Sequence, residues 1–118
     1  MKARIIAASL LVMSLFAGGA ANAVYVGICA YEFNAIGDAI GDATFTSRNS
    51  DRDEAGLLGK LDDAVTKVQQ QKYDDAIQKL EDIRDKATAL AGARKSKLDS
   101  AAAINDAVGA AIACVGGL

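Results

Sequence analysis

Between residues 57 and 115 apolar side chains recur at every third and fourth position, and that spacing restricts the chain to helices that bury one face. Leu57, Leu58, Leu61, Ala64, Val65 and Val68 make the first stripe. Just upstream, Ser50 offers a hydroxyl cap, and Asp51, Asp53 and Glu54 are acids that suit a helix N-terminus. A second stripe passes through Tyr73, Ala76, Ile77, Leu80, Ile83, Ala87 and Leu90 and stops near Gly92. The third is read from about residue 96 to residue 115, with Leu98, Ala101, Ala102, Ile104 or Asn105, Val108, Ala111, Ile112 and Val115 inward, ending at Gly116-Gly117.

The segment before them is mixed. Val24, Tyr25, Val26 and Ile28 are strand-like residues, yet Cys29, Phe33, Ile36 and Ile40 stand at helical spacing. Residues 36–43 repeat Ile-Gly-Asp-Ala as Ile-Gly-Asp-Ala four residues on, a helix period, so a helix is predicted over residues 25–40. Residues 44–49 form a polar connection, and the joints at 69–72 and 92–95 are short. Sequential helices joined in this way run antiparallel, so the expected fold is all-α, a small antiparallel bundle of three to four helices.

The first 23 residues have a different character. Lys2 and Arg4 precede an apolar run from Ile5 to Phe16, and Ala21-Asn22-Ala23 closes the stretch with a small-x-small pattern. This is the layout of a secretory signal peptide, cleaved after Ala23, and the apolar run falls short of the ~20 residues that span a bilayer. The bulky Ile28 before Cys29 argues against a lipoprotein. One helical domain, residues 24–118, is then expected in the periplasm or outside the cell, with a cysteine-bearing segment at 24–43 and a helical core at 55–115. Lys2 and Arg4 leave with the signal, so 11 bases remain against 15 acids, a net charge near −4. Nucleic acid and anionic membrane surfaces are poor partners for such a chain.

Two cysteines remain, Cys29 near the start of the exported chain and Cys114 near its end. An oxidising compartment and apolar, small neighbours favour a structural disulfide between them, with pairing between chains as the alternative. A redox-active pair would more commonly be close in sequence. From residue 24 to residue 43 the only charges are Glu32, Asp38 and Asp42, and after Ala101 the only one is Asp106. The two low-charge terminal segments are therefore expected to be the most buried parts, packed on each other and stapled by Cys29 and Cys114.

The sequence Leu57-Leu58-Gly59-Lys60-Leu61-Asp62-Asp63-Ala64, then Tyr73-Asp74-Asp75-Ala76-Ile77-Gln78-Lys79-Leu80, Leu98 and an apolar stretch from Ile104 to Ile112 resembles the FIMAH domain. That module is a small helical unit found at the end of larger secreted bacterial enzymes. The resemblance spans about residues 55–115 and implies an accessory or binding role, without site residues to carry over. The chain departs from the family in having Asp82-Ile83-Arg84 at an aromatic-centred segment, in its added cysteine-bearing segment and in lacking an attached catalytic domain.

Catalysis has little to work with. Histidine is absent, which removes Ser/His/Asp and Cys/His nucleophile pairs and imidazole metal ligands. Asp62-Asp63, Asp74-Asp75 and Glu81-Asp82 are adjacent pairs, and neighbours on a helix diverge by about 100°, so none converges on its own. Lys60 with Asp63 and Lys79 with Asp82 read as surface ion pairs. Asn49-x-Asp51-x-Asp53 begins like a calcium loop but has Glu54 where glycine is needed and Lys60 where a glutamate is needed. No metal, cofactor or catalytic residue is expected. Arg84, Lys86, Arg94, Lys95 and Lys97 make the one local basic excess, a candidate patch for an acidic polysaccharide or protein surface. Tyr25, Tyr31 and Phe33 form an aromatic cluster expected to fill the core beside the disulfide. The expected function is a non-catalytic exported module that binds an envelope protein or polysaccharide; the alternative is a self-assembling surface protein.

Overall fold

In the computed structural model, residues 24–118 are described. The expected signal segment, residues 1–23, lies outside the described residues. Four helices follow in order: α1 (Ala30–Asp42), α2 (Ser50–Gln69), α3 (Tyr73–Gly92) and α4 (Ala102–Gly116). Each packs on its neighbours in sequence, and α1 also packs on α4, which closes the ring into an antiparallel four-helix bundle. The fold is the expected one.

The stripes meet on the bundle axis. Phe33, Ile36 and Ile40 of α1 face Leu57, Leu61, Ala64, Val65 and Val68 of α2, with Leu80, Ile83, Ala87 and Leu90 of α3 and Ile104, Val108, Ala111 and Val115 of α4 completing one core. Alanine at 64, 76, 87 and 111 is fully buried, which lets the helix backbones approach closely. No charged or polar residue is buried among the described residues, so helix burial is the main source of cohesion.

Two boundaries differ from the expectation. Helix α1 starts at Ala30, because Gly27 (φ 108°) and Cys29 (φ 60°) both take left-handed backbone that a helix cannot continue through. Residues 24–26 lie outside any helix or strand, and Asn34 holds Tyr25 among them. Its Oδ1 accepts from the Tyr25 N–H at 2.8 Å and its Nδ2 donates to the Tyr25 carbonyl at 3.0 Å. Helix α4 starts at Ala102, where Ser100 Oγ accepts from the Ala102 N–H at 3.2 Å. Leu98 is buried all the same, from within the α3–α4 connection.

That connection is locked to the α1–α2 connection. Phe45 and Leu98 face each other as an isolated antiparallel bridge, with Thr46 N–H donating to the Lys97 carbonyl and Asp99 N–H to the Thr44 carbonyl, both at 3.0 Å. Ser50 is not the cap but the first residue of α2, and Asn49 at the cap position makes no side-chain cap bond. Ser47 Oγ donates instead to Asp53 at 2.8 Å. At the opposite end, α2 stops with Gln71 left-handed (φ 62°), Gln71 N–H bonding the Val68 carbonyl and Lys72 N–H the Lys67 carbonyl. This is the Schellman arrangement in a three-residue turn, and it places α2 and α3 side by side.

Candidate functional site

The bundle has two unlike ends. At one, the paired connections carry charges of both signs. At the other, Cys29 and Cys114 are disulfide bonded with Cα atoms 6.0 Å apart, tying the start of α1 to the last turns of α4. The expected staple is present, within one chain.

Low charge in the terminal segments does not mean burial, contrary to the expectation. Among the described residues, the large apolar side chains left exposed are Val24 (80%), Val26 (81%), Ile28 (54%), Tyr31 (83%) and Leu118 (52%), all close to the start of the domain or at its last residue. Residues 24–28 precede α1 and have no helical period to turn one face onto the core, and Tyr31 in the first turn of α1 is on its outer side. Tyr25 faces inward and its neighbours Val24 and Val26 face out. The aromatic cluster splits likewise, with Phe33 buried, Tyr25 half-buried edge-on to it at 6.5 Å, and Tyr31 in solvent.

Tyr25 is the anchor of this arm. Its hydroxyl donates to Asp62 on α2, a bond between residues 37 apart that the sequence offered no signal for. Burial pushes the Tyr25 hydroxyl pKa far above the ordinary tyrosine value, and the hydrogen bond to Asp62 and the negative charge of Asp62 push the same way. The unfolded chain loses this proton near pH 10 while the folded one keeps it, so the stability it contributes is whole below about pH 10 and falls as pH rises beyond. Urea midpoints measured from pH 9 to 11.5 are therefore expected to fall more steeply for the wild type than for Tyr25→Phe, which itself is less stable by about 1 kcal/mol at pH 7. Equal slopes would remove the Tyr25–Asp62 bond from the account.

Beside Tyr25 lies a cleft of about 130 Å³, lined by Val26, Ile28, Phe33, Val65 and Val68 together with Gln69 and Gln71. A cavity near this size admits one aromatic ring or aliphatic side chain, whereas drug-sized ligands and cofactors take about 300 Å³ or more. The site thus suits a side chain of a docking partner.

The five basic residues do not form one surface. Arg94, Lys95 and Lys97 are exposed on the α3–α4 connection, where Asp99 sits beside them in the pairing with residues 44–46. Arg84 and Lys86 lie back on α3, about 200° apart around the helix, so they face different sides. Arg84 spends its charge on Glu81 at 3.9 Å, the ion pair found among the described residues. The Lys60–Asp63 and Lys79–Asp82 pairs are not formed; Gln78 donates to Asp82 instead, at 3.4 Å.

One residue near the disulfide is missed by the sequence pattern alone. Glu32 follows Cys29 by three positions, and its carboxylate and the two sulfurs offer three donor atoms all within 4.8 Å of one another. The signal was available as the i, i+3 spacing, which puts Cys29 and Glu32 on one face of a helix start. As the disulfide stands, the sulfurs are committed to each other.

Fold and site together define a disulfide-clasped antiparallel four-helix bundle with an apolar end. No family model, no curated protein and no solved structure matches the chain, so the FIMAH resemblance rests on the residue pattern alone.

Proposed function

We propose that this protein is an exported, non-catalytic helical binding module whose apolar, disulfide-bearing end docks onto a protein of the cell envelope or its surroundings. The observation that carries the reading is the run of exposed Val24, Val26, Ile28 and Tyr31 in a short stretch of chain, of which Val26 and Ile28 also line a cleft sized for one side chain. Clustered apolar exposure of this kind marks interaction surfaces, and isolated exposed residues do not. Export is supported by the signal-like residues 1–23 and by a disulfide of the kind that persists in oxidising compartments. No described helix is long and apolar enough to cross a membrane. The FIMAH-like pattern over residues 55–115 points toward the same accessory role.

Two variants test the reading against the basic patch. Val26→Ser/Tyr31→Ser changes only exposed side chains, and Arg94→Ala/Lys95→Ala/Lys97→Ala removes the clustered bases. Both are expected to keep the wild-type stability in urea within about 0.5 kcal/mol. In quantitative pull-downs from envelope extract, the partner is expected to stay with the triple variant and to drop at least about tenfold with the apolar double variant. The opposite pattern would transfer the site to the loop end and its acidic-polysaccharide or acidic-protein ligand. Self-assembly is the second reading, favoured by the low charge of residues 24–37, where Glu32 is the one charged side chain. Light scattering that finds a dimer or larger species, reduced to monomer by Val26→Ser/Tyr31→Ser, would establish it.

A further inference from the structure

Glu32 gives the disulfide end a chemistry that a plain staple would not need. Cys29 stands at the cap position of α1, Glu32 lies in the first turn of that helix, and Cys114 reaches them from α4. Among the described residues the ion pair is Arg84–Glu81, so no described base neutralises Glu32. With the disulfide open, two thiols and a carboxylate would share a space 4.8 Å across. Two sulfurs and a carboxylate oxygen in that space are a donor set of the kind that zinc takes.

We propose that the reduced protein binds one zinc ion through Cys29, Cys114 and Glu32, keeping α1 clasped to α4 when the disulfide is open. The disulfide must first be reduced, by a dithiol in a cell or by a phosphine in vitro. The reductant supplies two electrons and is itself oxidised, the S–S bond breaks, and two protons from solvent complete the thiols. Zinc then forms two Zn–S bonds as the two thiol protons return to solvent, and the Glu32 carboxylate adds a Zn–O bond. Zinc with ligand bonds of about 2.0–2.3 Å sets tetrahedral donors about 3.4–3.8 Å apart. Freed sulfurs and a carboxylate within 4.8 Å reach that spacing by side-chain rotation, starting from cysteine Cα atoms that stand 6.0 Å apart in the disulfide-bonded fold. Two thiolates select zinc over magnesium or calcium, which prefer all-oxygen sites. Water fills the fourth position, so the ion is held by three protein ligands.

The test compares phosphine-reduced and oxidised protein under nitrogen, titrated with zinc against a chromophoric chelator, with far-UV circular dichroism recording the fold. The reduced wild type is expected to take up one zinc per chain with release of two protons, and its thermal midpoint rises with zinc. The oxidised protein takes up none. Glu32→Gln keeps both cysteines and folds in the oxidised form; once reduced, it is expected to bind zinc at least about tenfold more weakly than wild type. Equal affinity in Glu32→Gln overturns the site, because an unstructured dithiol would bind equally well in both. So does a stoichiometry of one zinc per two chains, or zinc that leaves the thermal midpoint and helicity of the reduced wild type unchanged.

Discussion

Cys29→Ala/Cys114→Ala is expected to lower stability in urea by about 4 kcal/mol, with a larger dependence on denaturant than the wild type. The disulfide joins residues 85 apart. Confining the ends of so long an unfolded loop removes conformational entropy worth about 4–5 kcal/mol in the chain-entropy model, against total stabilities of about 5–15 kcal/mol. The loss of packing in the folded state is small by comparison, since Cys29 is buried beside Phe33 but alanine at that position retains the Cβ. The steeper urea dependence follows from the same cause: without the cross-link the unfolded ensemble expands and exposes more surface. Alanine is the informative replacement, because serine at the cap position of α1 would introduce a hydroxyl able to cap the helix. A drop in stability below about 1 kcal/mol would mean that the unfolded chain already holds residues 29 and 114 near each other, and the clasp would then have to be understood through the folded state alone.

What the sequence carried, and what it withheld, divides along physical lines. The stripes of α2 and α3 were legible to within a few residues because each apolar position touches the core through one regular period, and Leu57, Leu61, Leu80 and Ile83 are fully buried. The disulfide was legible from placement and charge, as both cysteines lie in the low-charge ends. The arm was not. Phe33, Ile36 and Ile40 gave a true helical period, but extending it back to residue 25 let that period outweigh Gly27, whose φ of 108° only glycine adopts freely, and the strand-like residues around it. Exposure of Val26 and Tyr31 was hidden for a related reason: apolar content predicts burial only where a periodic element turns one face inward. The long-range bonds were the least legible. Nothing near Tyr25 or Asp62 in sequence announces the other, because that pairing is a product of how α1 and α2 pack. Glu32 stood in plain view at i+3 from Cys29, and its meaning emerges once Cys114 arrives from the far end of the chain.

Leu98→Ala is expected to cost about 3 kcal/mol, as much as an alanine substitution in the middle of a core helix and far more than a loop position ordinarily costs. Leu98 sits in the nine-residue α3–α4 connection, yet none of its surface is exposed. Its helical spacing from Ala101 was a coincidence of sequence; the side chain is driven inward by the extended pairing with residues 44–46. Both partners of that pairing are connections, so Leu98 plugs the bundle axis where α1 and α3 end and α2 and α4 begin, with Phe45 packed partly buried against the same core. Removing the isopropyl group leaves a cavity at the end of the bundle where all four helices start or stop. The backbone around it is pinned by the Thr46–Lys97 and Asp99–Thr44 bonds and by Ser96 Oγ donating to the Leu98 carbonyl at 2.6 Å, so the loop has little freedom to collapse into the void. A Lys97→Ala control one residue away, exposed and bonded only through its main chain, should stay within about 0.5 kcal/mol of wild type. Equal small effects at 97 and 98 would show that the connections slide to refill the core, and that the bundle is held by its helices without the lock at this end.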